Sequence, residues 1–129
     1  MKKIVIFLML IIVSLFVFYD QLANWVEYVS VEYKDSLWAP VALYNLAGFS
    51  MAVFKYDIAL SAYLKARRHF PLYDASDEAL FRIANIYGKQ KRWKDAYRVY
   101  NEFCKKYPGH DWVPRAKEKA EKIKGIYLK

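Results

Sequence analysis

Hydrophobic and polar positions divide the chain into three regimes. After Met1, Lys2 and Lys3 comes an unbroken apolar run, Ile4 to Phe18, in which Ser14 is the only polar residue. At roughly −0.3 to −0.6 kcal/mol for each Ile, Leu, Val or Phe, such a run favours a bilayer by several kcal/mol. A helix on the surface of a water-facing domain would interrupt it with polar positions. From Asp20 to Ala39 polar residues return, and Leu22, Trp25, Val26, Val29 and Tyr33 recur at helical spacing. That spacing predicts an amphipathic connecting helix over 20–39. Its apolar stripe lies either on the membrane or over the first unit of the domain that follows.

Beyond Pro40 one pattern occurs twice. Ala59, Tyr63, Ala66 and Pro71 are matched 37 positions later by Ala96, Tyr100, Phe103 and Pro108. Upstream, Leu43, Leu46, Ala47 and Ser50 are matched at the same offset by Leu80, Ile83, Ala84 and Tyr87. Each copy therefore predicts two amphipathic helices of about a dozen residues. In the second copy, Tyr87 to Lys91 is the expected turn and Trp93 opens the return helix. Small residues let the two helices cross closely, an aromatic fills the groove beside them, and proline ends the second helix because it cannot continue the hydrogen-bond ladder. A last helix is predicted over 112–128, with Pro114 near its first turn and Ala116, Ala120, Ile123 and Tyr127 on its buried stripe. Its other face is charged, with Glu118 and Lys122 four residues apart.

The doubled pattern resembles the tetratricopeptide repeat, and the likeness covers Pro40 to Pro108. Leu43 and Leu80 stand where the family usually has Trp, Ser50 replaces its first aromatic, and Phe103 replaces its second Ala. The stretch from Leu72 to Ser76 is longer than the family norm. The resemblance implies a right-handed helical-repeat domain over 40–128, which with the apolar N-terminal segment (1–19, a transmembrane helix or a signal sequence) and the connecting helix (20–39) makes an all-α architecture. That domain would hold repeats at about 40–73 and 77–110 and a capping helix at 112–128. The C-terminal stretch from Tyr107 to Lys124 is similar to repeat domains of bacterial envelope proteins.

The same resemblance implies a partner-binding groove lined by the first helix of each pair. Its usual positions fall on Tyr44, Gly48 and Met51 in the first copy and on Phe81, Asn85 and Lys89 in the second. Tyr44 and Phe81 would clamp a partner helix or extended segment, Asn85 would bond its backbone, and Lys89 would pair an acid. The alternative is that Leu22 to Trp38 fills the groove itself. Two repeats and a cap are close to the lower limit for a free-standing array. Extra cover would come from residues 20–39, a second copy of the chain, or a neighbouring membrane subunit.

Composition narrows the chemistry. In 129 residues there is one cysteine, Cys104, and there are two widely separated histidines, His69 and His110, so neither a disulfide scaffold nor a metal centre is expected. The glycines at 48, 88, 109 and 125 are isolated, which excludes a phosphate-cradling loop. Asp74, Asp77 and Glu78 form the one carboxylate cluster, and their place before a helix reads as capping rather than acid–base catalysis. Cys104 reads as a small buried apolar residue. No enzyme and no cofactor is expected.

Charge is uneven. Residues 1–63 sum to −1 and residues 64–129 to +9. Lysines keeping a helical surface soluble account for much of this. The basic half also suits an acidic partner or anionic lipid. Nucleic acid is not expected, because the aromatics fall on packing positions rather than among the basic clusters.

The apolar run of about 24 Å is short for a span and suits a signal sequence by length alone. Its end, however, places bulky Phe16, Val17, Phe18 and Tyr19 where cleavage needs small residues, and the next site has Gln21 at the −3 position. An uncleaved anchor is the expectation, with a cleaved signal sequence as the alternative. Lys2 and Lys3 precede the run and the next basic residue is Lys34, which places the N-terminus in the cytoplasm and the rest outside. The expectation is a single-pass protein of a bacterial inner membrane whose periplasmic repeat domain docks other envelope or membrane proteins. The alternative is a small subunit built permanently into a larger membrane complex.

Overall fold

The computed structural model describes residues 1–129 as six helices, without a strand: α1 (Lys2–Glu32), α2 (Trp38–Ala52), α3 (Tyr56–His69), α4 (Ser76–Lys89), α5 (Trp93–Lys106) and α6 (Val113–Tyr127). The helices α2 and α3 form one antiparallel hairpin and α4 and α5 a second, with α6 packed on α5. Leu43, Ala47, Ala59, Ala62 and Ala66 are fully buried at the first crossing, Ala84, Ala96 and Phe103 at the second. Alanine at the contact points lets the helix axes approach, which is why a sequence this rich in aromatics still packs tightly.

The 31 residues of α1 run without a break, about 46 Å at 1.5 Å per residue. It is long and apolar enough to cross a membrane, and its apolar half is exposed along its whole length. The helix does not stop at Tyr19. Asp20 to Glu32 continue the same cylinder, a turn follows, and Trp38 and Ala39 already belong to α2.

The stripe of Leu22, Trp25, Val26, Val29 and Tyr33 is not the centre of the face on which α1 packs; only Val26 and Val29, half-buried, lie at its edge. Leu22, Trp25 and Tyr33 are exposed, whereas Ala23, Glu27 and Ser30 are buried. Ala23 and Ser30 are small enough to bring α1 onto the first hairpin. Glu27, 5% exposed, is compensated there: it accepts a hydrogen bond from Ser61 Oγ at 3.2 Å and pairs with Lys65 Nζ. A carboxylate in that position is tolerable only because it is paired.

The backbone explains the exposed stripe. In the turn after α3, the N–H groups of Phe70, Tyr73 and Ser76 donate to the carbonyls of Ala66, Phe70 and Tyr73. The turn after α5 repeats this with Tyr107, His110 and Val113 donating to Phe103, Tyr107 and His110. The turn after α1 repeats it again, with Tyr33, Ser36 and Ala39 donating to Val29, Tyr33 and Ser36. The three turns are spaced by the 37 residues of the sequence repeat. The last turns of α1 therefore occupy the place of a hairpin's second helix, and the chain supplies no first helix to go with it. Leu22, Trp25, Val26 and Val29 align with Ala59, Ala62, Tyr63 and Ala66, which are buried in the first hairpin; in α1, Leu22 and Trp25 are exposed and Val26 and Val29 are only half-buried.

The turns inside the two hairpins also coincide. Phe54 (φ 63°) and Lys91 (φ 58°) both adopt the left-handed backbone, and the next N–H, of Lys55 or Arg92, returns to the carbonyl of Ser50 or Tyr87 at 2.8 and 2.9 Å. The second turn is shorter than its composition suggests: α4 continues through Gly88 to Lys89, leaving only Gln90 to Arg92 outside a helix. At the start of α4 the N-cap is Ala75, without a side-chain cap bond, so Asp74 does not cap the helix. Asp77 does take up a first-turn donor, the Glu78 N–H at 2.7 Å.

Candidate partner-binding groove

The helices α2, α4 and α6 stand in one phase, so residues 37 apart share a height on one face: Asn45, Arg82 and Lys119, then Gly48, Asn85 and Lys122. Two recesses follow one another along this face. The larger, about 460 Å³, is lined by Met51 of α2, Asn85 and Lys89 of α4, Tyr100 of α5, and Lys119 and Lys122 of α6. The smaller, about 380 Å³, is lined by Tyr44, Asn45 and Gly48 of α2 with Tyr63, Glu78 and Arg82. No residue of 20–39 lines either recess, so that segment does not fill them.

The structure divides the residues singled out from the sequence. Met51, Asn85 and Lys89 meet in the larger recess, and Tyr44 and Gly48 border the smaller. Phe81 borders neither. It is 3% exposed, with Tyr100, Phe103 and Trp112 rings at 5.6, 5.6 and 5.1 Å. Tyr44, at 6% exposure, donates its hydroxyl to Phe70 O at 3.2 Å and stacks on Tyr73 at 5.1 Å. Both rings are already engaged within the fold, Tyr44 by the turn after α3 and Phe81 by α5 and the turn that follows it.

The polar groups of the larger recess are preset. Tyr100 Oη donates to Asn85 Oδ1, which fixes the amide with its NH2 unclaimed. Burial pushes the Tyr100 phenol up to about 12, and burial also raises Tyr44 and Tyr63, so all three remain protonated donors at neutral pH. Burial lowers the pKa of Lys119, and the Arg115 and Lys89 charges lower it further. That crowding marks the α6 side of the recess as electropositive. Gly48 leaves the α2 backbone open; a Cβ there would meet only the Tyr63 hydroxyl, at 3.5 Å.

Sequence reasoning missed what α6 contributes. Lys119, Lys122, Ile123 and Ile126 line the larger recess, and Tyr127 stacks on Trp93 at 3.9 Å with rings 5° from parallel. The signal was present: carrying the 37-residue offset one step past Arg82, Asn85 and Lys89 lands on Lys119, Lys122 and Ile126.

The remaining reactive groups are joints of the scaffold. His110 Nδ1 accepts the Trp112 N–H at 3.0 Å while its Nε2 lies 3.5 Å from Asp77 Oδ2, tying the last turn to the start of α4. Cys104 is half-buried rather than enclosed, with Sγ 3.8 Å from Val113 O, and burial raises its pKa, which disfavours the reactive thiolate. None of these borders either recess, and no three His, Cys, Asp or Glu side chains converge as a metal site would need.

Helix hairpins stacked in one phase, with their first helices sharing an open recessed face, define a helical-repeat protein. Residues 78–110, from the first turn of α4 through α5 to the turn that follows, match the family model of the tetratricopeptide repeat. The chain carries a tetratricopeptide repeat there, a kind of repeat that generally serves as a protein–protein interaction module. No curated protein matches the sequence.

Proposed function

We propose that this chain is a non-enzymatic, membrane-anchored docking module, held by α1 in a bacterial inner membrane with its N-terminus in the cytoplasm and its repeats in the periplasm. The repeats recruit other envelope or membrane proteins through the face shared by α2, α4 and α6. The observation that carries this reading is the convergence of Met51, Asn85 and Lys89 with Lys119 and Lys122 in one recess. It offers an apolar floor, an amide that can bond a peptide backbone and a cluster of cations, which together suit a segment bearing an acidic side chain.

Retention of α1 is supported by its bonds to the domain. Tyr19 Oη lies 2.7 Å from Ser50 Oγ, and Asp20 pairs with Lys55 Nζ at 2.8 Å. Cleavage near these residues would strip contacts from the first hairpin.

Photo-crosslinkers placed in intact cells at Asn45 and at Lys89 test the proposal, with Leu72, 96% exposed at the far end of the hairpins, as the comparison. One partner captured from both groove positions and not from Leu72, and lost in Lys122→Glu, is the expected result. Equal capture from all three positions would refute it.

A second reading has its own support. Leu22, Trp25 and Tyr33 are 56%, 61% and 57% exposed on a face where a hairpin would have its first helix. A helix supplied by a second copy or by another subunit would make the protein a permanent bridge in a membrane complex. Comigration with that complex in mild detergent, and no free folded species, separates this reading from the first.

A further inference from the structure

We infer that the end of the repeat domain carrying the Phe54 and Lys91 turns rests on an anionic phospholipid surface, so that the domain touches the bilayer at a second point besides α1. This rests on the reading of α1 as a membrane anchor.

The height of that end is fixed by contacts with α1. Lys55 Nζ sits 4.0 Å over the ring of Phe16, inside the apolar run, and pairs with Asp20 just beyond it. Phe49 packs on Tyr19 at 5.9 Å between ring centres. The turn after α2 therefore stands level with the last turn of the apolar run, where hydrocarbon gives way to headgroups.

Its composition suits that level. Phe54 is 76% exposed and Phe49 59%, beside Lys55. At the matching point of the second hairpin stands Lys91, so the left-handed turn does not require an aromatic. Such an apolar tip beside a cation is the arrangement that enters a membrane interface.

The second hairpin's turn points the same way, because α4 runs parallel to α2 and Gln90 Nε2 bonds Asp57 Oδ1 at 2.8 Å between the two turns. It presents Lys89, Lys91, Arg92 and Lys94, all exposed. Arg92 is paired with Asp95, whereas Lys91 and Lys94 have no acidic partner. A basic edge at that level is complementary to acidic headgroups. The other basic cluster, around Arg67 and Arg68, lies at the opposite end of α3, about 20 Å higher along the helix.

Single spin labels on the full chain in vesicles test this, using Phe54→Cys, Leu72→Cys or Ile11→Cys in a Cys104→Ser background, with folding verified by circular dichroism. In phosphatidylcholine containing phosphatidylglycerol, the label at 54 should meet dissolved oxygen more readily than a water-soluble nickel chelate. The label at 72 should show the reverse. Lys91→Glu with Lys94→Glu should abolish the oxygen preference at 54. Nickel access at 54 equal to that at 72, with the label at 11 still in hydrocarbon, would overturn the inference and leave the anchor standing. Loss of access to both reagents at 54 would also overturn it, since a protein surface would then cover the turn. A label at 11 open to nickel would overturn the anchor itself, and the inference with it.

Discussion

Phe54 and Lys91 occupy the same point of two successive hairpins and share a left-handed backbone, φ 63° and 58°. For a residue with a Cβ that conformation costs about 1–2 kcal/mol, and glycine adopts it freely at the expense of unfolded-state entropy. Lys91→Gly should therefore stabilise the domain by about 0.5–1 kcal/mol, and Lys91→Val should destabilise it. Denaturant unfolding of the detergent-solubilised chain, followed by near-ultraviolet circular dichroism, checks both signs.

Glu27 and Lys65 join α1 to α3 with unequal burial, the carboxylate side chain 6% exposed and the ammonium 45%. Removing the exposed partner leaves the buried acid short of a donor. Lys65→Ala should cost about 1–3 kcal/mol, the penalty of an unsatisfied buried group. Glu27→Leu, which removes the buried charge instead, should come out close to neutral. A double-mutant cycle read by the same unfolding assay checks the asymmetry. If both variants lost the same stability, the pair would not be set by burial.

Tyr100 gives a pH signature. Its folded pKa of about 12 stands above the ordinary value of 10 because burial disfavours the phenolate. The folded chain thus holds this proton more tightly than the unfolded one. The resulting stability is present in full below pH 10 and is lost as the pH rises through about 12, on the order of 2 kcal/mol. Tyr44 and Tyr63, both raised by burial, act in the same direction. Tyr100→Phe should flatten the alkaline decline in part, while costing roughly 1 kcal/mol at neutral pH for the bond to Asn85. Unfolding midpoints measured between pH 8 and 12 in wild type and variant check the sign.

Gly48 separates folding from binding. A methyl group there meets ordinary van der Waals space beside Tyr63, so Gly48→Ala should raise stability by about 0.5–1 kcal/mol through helix propensity. Gly48→Arg should fold as well, because the position borders the open recess, yet block a ligand lying along α2. Capture of the partner from Asn45 should then fall while the unfolding midpoint holds.

The all-helical fold was legible because its determinants are local and periodic. Ala59, Tyr63 and Ala66 recur as Ala96, Tyr100 and Phe103, and a proline follows each set, so spacing alone predicts hairpins. The burial of α1 was not legible. Periodicity marks Leu22 and Trp25 as the inner face, but the face that packs is chosen by how closely two cylinders can approach. Ala23 and Ser30 meet that steric demand, and the cost of Glu27 is relieved by Lys65, which lies 38 residues away. The groove was half legible. Asn85 and Lys89 follow from position on a helix face, whereas Phe81 has the same type of position and is lost to the core because Trp112 of the following turn covers it. No feature of Phe81's own segment announces that neighbour.

The uninterrupted cylinder from Lys2 to Glu32 has a mechanical consequence. Most tethered modules sweep a hemisphere on a pliant leash and meet partners at many heights. Here the mast and the platform are one stiff piece, and Asp20 to Glu32 spans only about 18 Å. In the anchored reading proposed above, any client would have to come down to that shallow layer, and any rotation of the mast about its own axis would turn the platform with it.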